Sequence, residues 1–386
     1  MTEKTRVAVV YGGRSTEHSV SCVSAGAIMN HLDPEKFEVV PIGITREGTW
    51  TPGTTEGLEI VDGVLPEVTR GAELTLSLDP TARGQFHNVT DGTLFAEVDV
   101  VFPILHGPFG EDGTVQGLFE LSGLPYVGPG VLASSVGMDK EFTKKVLVAA
   151  GLPVAPEVIL KGRTEISEDE KQRLGLPVFV KPARGGSSIG VSKVTTWEDF
   201  PAAVDLALED DDKVLVEPEI VGQEVEIGVL HYADGTLLAS VPALLAGIDD
   251  SDEGFYGFDT KYLDNVVTAE IPAPFAPELT ERLRDMAIKA FEALRGSFPR
   301  RLLRHRGLRL HQRDQYPAGL YPDLHVPAGA RGLGRRVPGA ARGAYRAGPS
   351  QVGLSAAYFS AVCSASTSPI STSAACAASC GACSAR

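Results

Sequence analysis

Two short apolar segments near the N-terminus each run directly into a glycine-rich loop, and this pattern limits the possible folds more than any other feature. Residues 6–11 (RVAVVY) lead into Gly12 and Gly13, and residues 98–105 (VDVVFPIL) lead into the loop at 106–113 (HGPFGEDG). Continuous β-branched runs of this length are typical of parallel strands that are buried on both faces. Since parallel strands need helical crossovers, the sequence predicts an α/β fold with its site at the loops after the strands.

The first loop, at residues 12–21 (GGRSTEHSVS), predicts a tight turn followed by a helix that Ser15 or Thr16 would cap. Its spacing is not G-x-G-x-x-G, and no downstream acidic residue completes a ribose site, so a nicotinamide site is disfavoured. A capped turn without a ligand remains open for this loop. His106 likewise could be an ordinary loop histidine. A further helix is predicted over residues 134–150.

The centre of the chain carries a pattern suited to phosphate binding. A strand at 177–181 (PVFVK) is followed by a Gly/Ser-rich loop at 182–190 and a second strand at 191–194. The backbone N–H groups of such a loop can surround phosphates, and Lys181 would add a point charge. The loop joins two strands and does not open a helix, so it is not a Walker motif. An exposed flexible hairpin is the alternative.

Three further segments complete the pattern. Residues 213–230 predict a hairpin in which Glu217 and Glu224 could accept hydrogen bonds from an adenine amine and ribose hydroxyls, although isolated acids there could be solvated turn residues. Residues 254–265 form an aromatic loop that could close over a site. Residues 277–294 predict an amphipathic helix.

In chain order, the motifs are YGGRSTEHSVS, HGPFGEDGTVQG, GLPYVGPGVLASSVGMDK, KPARGGSSIGVSKV, VEPEIVGQEVEIGV and GFYGFDTKY. From about residue 6 to about residue 294, this set resembles the D-alanine–D-alanine ligases of the ATP-grasp superfamily. The resemblance implies an α/β ATP-grasp protein of three α/β domains. These are a parallel-sheet domain at 1–134, a central ATP-grasp subdomain at 135–232 and the start of a C-terminal ATP-grasp domain at 233–296.

The resemblance also implies a reaction. ATP phosphorylates the carboxylate of a first D-alanine, and the amine of a second D-alanine attacks the acyl phosphate. The dipeptide would serve peptidoglycan precursor synthesis. The family leads us to expect Mg²⁺ or Mn²⁺ as cofactor and a homodimer. Because the sequence has no apolar run long enough for a membrane span and no apolar signal segment at its N-terminus, we expect a cytoplasmic location with no membrane partner. No nucleic acid is expected as partner.

Four residues are assigned to the first substrate by motif match. Glu17 is expected to hold the ammonium of the first D-alanine, and Ser187 and Tyr262 to complete a hydrogen-bonded triad with it. His106 is expected beside the same substrate. Because D-alanine–D-lactate ligases tend to lack this Lys-Tyr pattern, Tyr262 favours an amine as second substrate, and D-lactate ligation is kept as an alternative.

Five residues are assigned to ATP in the same way. Lys140 and Lys181 are expected to bind the phosphates, and Lys261 to reach the terminal phosphate when its loop closes. Glu217 is expected to meet the adenine amine and Glu224 the ribose.

The composition changes abruptly after about residue 296. Residues 297–386 contain 12 Arg, two Asp and neither Lys nor Glu, while the chain as a whole carries a net charge of −15. Four of the five Cys also lie in this segment. The family's metal-binding Asp, Glu and Asn strands should fall here, and no residue of the chain can be assigned to them.

A shift of reading frame accounts for this change. Back-translation of residues 311–317 (HQRDQYP), begun one base later, permits Ile-Asn-Glu-Ile-Asn-Thr, the family's metal-binding segment. Residues 299–304 and 318–327 permit Arg-Val-Asp-Phe-Phe and Pro-Gly-Phe-Thr-Pro-Ile-Ser-Met-Tyr in the same frame. We therefore expect residues 297–386 to be frameshifted, read past the normal stop and disordered.

Two interpretations of other classes remain. Taken literally, the chain is a catalytically dead nucleotide-binding remnant without a metal site. The basic tail could instead bind nucleic acid, or zinc through Cys376, Cys380 and Cys383, but it lacks a recognisable motif and a nearby His.

Overall fold

The computed structural model describes residues 4–61, 64–232, 234–247 and 268–295, together with the backbone of 359–365 and 375–379. Lys261 and Tyr262, the aromatic loop at 254–265 and the segments that we interpret as out-of-frame metal-binding strands lie outside the described residues.

The N-terminal part contains the following strands and α-helices: β1 (Thr5–Gly12), α1 (His18–His31), β2 (Phe37–Ile44), β3 (Trp50–Pro52), β4 (Leu74–Leu76), β5 (Gln85–Asn88), β6 (Leu94–Glu97), β7 (Val100–Leu105) and α2 (Thr114–Ser122). One sheet has the order β3-β2-β1-β7, and β1 pairs in parallel with both β2 and β7. A second, antiparallel sheet has the order β4-β5-β6. The predicted strands at 6–11 and 98–105 are thus confirmed as neighbouring parallel strands.

The alternation of β1 explains why it is apolar throughout. Val7, Val9 and Tyr11 pack against buried residues of α1, whereas Ala8 and Val10 share a cluster with Phe119 of α2 and with the β4-β5-β6 sheet. A strand that is covered on both faces cannot present a polar side chain to either of them. Burial on both faces fixes β1 at the centre of this part, and the loop that follows its carboxyl end is thereby fixed in position.

The central part contains α3 (Val131–Met138), α4 (Lys140–Ala149), β8 (Val158–Lys161), α5 (Glu168–Leu174), β9 (Val178–Pro182), β10 (Ser192–Val194), α6 (Phe200–Asp210) and β11 (Lys213–Pro218). Its antiparallel sheet has the order β10-β9-β11-β8, and its core includes Val178, Val204 and Val216. The two strands predicted around the Gly/Ser-rich loop are β9 and β10, and they pair directly.

The single helix predicted over 134–150 is two helices. Asp139 has φ −94° and ψ 106°, an extended conformation that ends α3, and its side chain accepts a hydrogen bond from the Phe142 N–H at the start of α4. Asp favours such N-cap positions because its carboxylate satisfies a free N–H of the first turn. Because the chain is extended at Asp139, α4 does not continue the helix axis of α3.

The third part contains β12 (Gln223–His231), β13 (Leu237–Ala239), β14 (Ala243–Ala246), β15 (Thr268–Glu270), α7 (Pro277–Arg295), β16 (Phe359–Ala365) and β17 (Ala375–Ser379). The antiparallel sheet has the order β15-β14-β12-β16-β17, and β13 also pairs with β12. The amphipathic helix predicted at 277–294 is α7, and it buries Leu283, Ala287 and Phe291 against this sheet.

The predicted hairpin at 213–230 is wrong. Among the described residues, β11 pairs with β8 and β9, whereas β12 pairs with β13, β14 and β16. The turn between β11 and β12 therefore carries the chain from one sheet to the next. β12 belongs to the third sheet, and Leu147 of α4 shares the core of that sheet. The predicted domain boundary at residue 232 stays a prediction.

Two strands occur in the range 297–386, where we expected disorder. β16 pairs with β12 from Phe359↔Val229 to Ala365↔Gln223, and β17 pairs with β16. An open strand edge offers unpaired N–H and C=O groups to any extended segment, whatever its side chains. The pairing of β16 with β12 therefore does not depend on particular side chains in β16.

Candidate active site

Three segments that are distant in sequence meet at the carboxylate of Glu17. Glu17 is the residue before α1, at the end of the β1 loop, and it is buried. A Cβ atom on Gly107 would lie 2.5 Å from Glu17 Oε2, and a Cβ atom on Gly186 would lie 2.6 Å from the same oxygen. Glycine at both positions therefore allows the β7 loop and the Gly/Ser-rich loop to approach the carboxylate.

Ser187 closes the Gly/Ser-rich loop onto this point. Its hydroxyl, fully buried, donates a hydrogen bond to Glu17 Oε1. Ser187 and Ser188 have φ values of 49° and 58°, in the left-handed region that costs L-residues energy. Strained backbone persists only where surrounding contacts fix it, and here the hydrogen bond to Glu17 is one such contact.

His106 and Glu111 lie beside Glu17. His106 Nε2 is 3.0 Å from Ser24 Oγ, and Nδ1 is 4.0 Å from Glu111 Oε1, which is a long contact. Burial lowers the pKa of His106, and the negative charge of Glu17 offsets part of this effect. Burial and the repulsion from Glu17 raise the pKa of Glu111 well above its usual range.

Ser15 does not cap α1 as we predicted. The residue before α1 is Glu17, and no side chain caps its first turn. The Ser15 hydroxyl instead donates to the backbone oxygen of His106 at 2.7 Å and accepts from the Glu17 N–H at 3.1 Å. Ser15 thus ties the two loops together, and that tertiary bond replaces the local cap.

The predicted nucleotide residues Lys181 and Glu217 form a buried ion pair. Lys181 Nζ contacts Glu217 Oε1, and Lys144 Nζ lies 2.7 Å from Glu217 Oε2 and 2.8 Å from Glu157 Oε2. Burial opposes the ionisation of Glu217, but Lys181 and Lys144 outweigh it and lower the pKa of Glu217 to about 2. The carboxylate is therefore a strong hydrogen-bond acceptor at neutral pH.

Lys140 and Arg184 hold the first part of the Gly/Ser-rich loop. Lys140 Nζ donates to the backbone oxygens of Pro182 at 3.1 Å and Gly185 at 2.9 Å. The Arg184 guanidinium binds both oxygens of Asp211, and the Arg184 N–H donates to Asp211 Oδ2 at 2.7 Å. Lys140 is thus placed at the loop, and its predicted contact with phosphates stays a prediction.

The remaining predicted residues lie elsewhere. Glu224 is buried near the start of β12, just after the turn from β11. Lys261 and Tyr262 lie outside the described residues, so the triad with Tyr262 stays a prediction. Within the described part of the chain, no group of three or more His, Cys, Asp or Glu side chains is placed to hold a metal ion.

The two clusters suit different chemical groups. A buried carboxylate beside glycine backbones, with a hydroxyl on one oxygen, can bind a small ammonium and leaves little space for a larger group. Lys181, with a Gly/Ser-rich loop behind it, suits phosphates. The two clusters are thus chemically suited to a small ammonium and to phosphates, and the roles of their residues stay predictions.

Comparison with known proteins decides the family. The family model described as "D-ala D-ala ligase N-terminus" matches residues 6–129, and "D-ala D-ala ligase C-terminus" matches residues 146–302. The D-alanine–D-alanine ligase of Corynebacterium aurimucosum is 69% identical over 292 residues, which cover 76% of this chain and 82% of the relative. The chain belongs to the D-alanine–D-alanine ligase family.

More distant ligases agree. The D-alanine–D-alanine ligase of Mycolicibacterium vanbaalenii is 56% identical over 76% of this chain and 83% of its own length. The structure of VanG D-Ala:D-Ser ligase from Enterococcus faecalis matches with a TM-score of 0.62 and 34% identity, over 76% of this chain and 83% of that chain. The structure of the D-alanine–D-alanine ligase from Coxiella burnetii matches with a TM-score of 0.62 and 32% identity, over 76% of this chain and 78% of that chain. The predicted α/β ATP-grasp fold is thereby confirmed.

Two residues near the site, Lys144 and Glu111, were not predicted from the sequence. Lys144 follows Lys140 by four residues, a spacing that places both on one face of α4 and could have indicated it. Glu111 lies inside the HGPFGEDG motif, but its burial depends on the approach of Glu17 and His106, which no local pattern reveals.

Proposed function

We propose that the protein joins two D-alanines to D-alanyl-D-alanine with ATP, through an acyl phosphate. The observation that carries this proposal is the meeting of the β1, β7 and Gly/Ser-rich loops at Glu17, since a small α-amino acid needs its ammonium fixed before its carboxylate can be phosphorylated. We also propose a cytoplasmic homodimer, as the family resemblance implies.

The first D-alanine is held by its charged ends. Glu17 accepts hydrogen bonds from the ammonium, and Ser187 fixes the orientation of the Glu17 carboxylate and closes the loop over the substrate. His106 lies beside the methyl and carboxylate end. Holding the carboxylate in line with the terminal phosphate makes the phosphoryl transfer effectively unimolecular, and this lowers its entropic cost.

ATP occupies the cleft between the central sheet and the third sheet in this proposal. Glu217 accepts from the adenine amine, Glu224 from the ribose, and Lys181 and Lys140 neutralise phosphate charge. A carboxylate oxygen of the first D-alanine attacks the terminal phosphorus and ADP leaves. The uncharged amine of the second D-alanine then attacks the acyl carbon, and phosphate leaves with the C–O bond electrons.

A divalent cation supplies charge neutralisation on the phosphates in this family's reaction. The described residues do not fit such an ion, because they contain no cluster of three candidate ligands. The chain after Glu292 contains no Glu at all.

We propose that a reading-frame shift near residue 296 accounts for this loss. The match to the C-terminal family model ends at residue 302, and the change to an Arg-rich, Lys-free composition begins at about the same place. Residues 299–327 permit the family's Arg, Asp, Glu and Asn strands in one alternative frame. Resequencing the gene decides this, since an uninterrupted frame as it stands would contradict the proposal.

The acyl phosphate can be trapped with hydroxylamine in place of the second D-alanine. We expect D-alanine hydroxamate to form in an ATP-dependent way from the chain with its frame restored, and none from L-alanine. Glu17→Gln is expected to lower the rate by about a hundredfold or more, because it removes the charge-assisted bond to the ammonium. Equal rates with D- and L-alanine would contradict the proposed function.

A further inference from the structure

A buried cluster of two lysines and two glutamates lies behind the nucleotide site. It consists of Lys144 on α4, Glu157 before β8, Lys181 on β9 and Glu217 on β11. The side chains of Lys181 and Glu217 are each 4% exposed, and that of Lys144 is 11% exposed. Lys144 and Glu157 are the two members to which the proposed reaction gives no role.

The two oxygens of Glu217 have different partners. Oε2 accepts from Lys144 at 2.7 Å, and Oε1 is contacted by Lys181. Lys144 projects from a helix whose apolar face is fixed in the third sheet's core through Leu147. Its ammonium is also within 2.8 Å of Glu157 Oε2, so it is held between two carboxylates.

We propose that Lys144 is a positioning residue of the nucleotide site, which holds Oε2 of Glu217 so that Oε1 faces the adenine amine once Lys181 turns to the phosphates. This inference rests on the proposed function, because the roles of Glu217 and Lys181 come from that proposal. It adds that the lysine four residues after Lys140 sets the preference for a 6-amino purine.

The charges of the cluster give the physical reason. With Lys181 on Glu217, two lysines balance two glutamates. When Lys181 moves to the phosphates, Glu217 keeps one buried cation among the described residues, and without Lys144 it would keep none of those. A buried carboxylate without a cation takes up a proton, and a neutral carboxyl is a weaker hydrogen-bond acceptor for the amine than a carboxylate. The lowering of the pKa of Glu217 by both lysines agrees with this account.

A purely structural role for Lys144 predicts a different result. If Lys144 only joined α4 to β11, its loss would weaken binding of all purine nucleotides alike. A positioning role affects only ligands that donate from the 6-position. Lys145 provides a matched control, because it is the next residue, its side chain is 59% exposed and it pairs with Glu141 instead.

The test is equilibrium binding to the full chain, by calorimetry at one fixed Mg²⁺ concentration. The two ligands are ATP and purine riboside 5′-triphosphate, in which hydrogen replaces the 6-amino group. We expect the unsubstituted chain to prefer ATP by about tenfold, the value of one charge-assisted hydrogen bond. Lys144→Met should reduce this preference to about twofold or less, and Lys145→Met should leave it unchanged.

Lys144→Gln is a second variant in case Lys144→Met does not fold, as judged by circular dichroism. It keeps a donor of similar reach without the charge, and it should reduce the preference for ATP at least ~threefold. A full preference for ATP in both variants, or an equal loss for both ligands, would overturn the role of Lys144. The same binding is measured in the chain with its frame restored near residue 296, and failure of that chain to bind ATP would overturn the proposed function itself, and the inference with it.

Discussion

Burial and neighbouring charges shift the pKa values of two carboxyl groups in opposite directions in this protein. Glu217, beside two lysines, has its pKa lowered to about 2, whereas burial and the negative charge of Glu17 raise the pKa of Glu111. Glu111 Oε2 accepts a hydrogen bond from the Gly107 N–H at 2.8 Å, so its position is fixed in either state. The site around Glu17 therefore contains a carboxyl group, that of Glu111, whose ionisation is less favourable in the folded protein than in the unfolded chain.

This carboxyl makes stability fall as the pH rises. A group whose pKa is raised in the folded state binds more protons folded than unfolded, so its contribution decreases above the ordinary Glu pKa of about 4.3. Glu111→Gln keeps an acceptor for Gly107 without an ionisable group. Its melting temperature relative to the unsubstituted chain is therefore expected to rise between about pH 5 and about pH 8. The measurement is thermal denaturation followed by circular dichroism.

Glu59→Gln, at an exposed position, is the control for this prediction. It should shift the melting temperature by the same small amount at every pH. A constant difference for Glu111→Gln would show that Glu111 is ionised normally in the folded protein.

Sequence motifs predicted a hydrogen-bonded triad of Glu17, Ser187 and Tyr262, and thus the contact between Ser187 and Glu17. The motif match placed both near the first substrate, and the structure joins Ser187 to Glu17 directly. The predicted cap at Ser15 failed because His106, 91 residues away in sequence, offers a backbone oxygen to the same hydroxyl. Local capping rules do not include such a distant partner.

Among the secondary-structure elements, the strands were predicted well and their partners were not. Apolar periodicity located β1, β7, β9, β10 and α7 to within a few residues. It could not show that β11 and β12 belong to different sheets, because two adjacent apolar strands resemble a hairpin in sequence. Nor could it reveal the break at Asp139, where one capping hydrogen bond redirects the chain.

The Gly/Ser-rich loop is held at its beginning by the Arg184–Asp211 pair. Burial opposes ionisation of Asp211, but hydrogen bonds from Arg184 outweigh it and lower the pKa of Asp211. Asp211→Asn should weaken these bonds, so that trypsin cleaves after Arg184 about tenfold faster. The cleavage rate is measured by gel densitometry with mass spectrometry of the fragments.

Asp212→Asn is the matched control, since Asp212 also contacts Arg184 but its side chain is 71% exposed. An exposed ion pair contributes little, so cleavage should change by less than about threefold. Equal acceleration in both variants would show that Asp211 does not hold the loop.

At the scale of the whole molecule, two compositions share one chain. The part up to about residue 296 matches ligases of the family along most of its length, and the rest contains 12 Arg and no Lys. Among the described helices, none is long and apolar enough to cross a membrane. The strands β16 and β17 add backbone pairing to the open edge of β12, and they contain no Asp or Glu.

The most direct measurement is the formation of D-alanyl-D-alanine from D-alanine, ATP and Mg²⁺, detected by mass spectrometry. It compares the chain as it stands with the chain whose frame is restored near residue 296. We expect dipeptide from the restored chain and at least about a hundredfold less from the present one, because the proposed frame shift would remove the metal ligands and with them electrostatic stabilisation of the phosphates. Equal activity of the two chains, or no dipeptide from either, would contradict it.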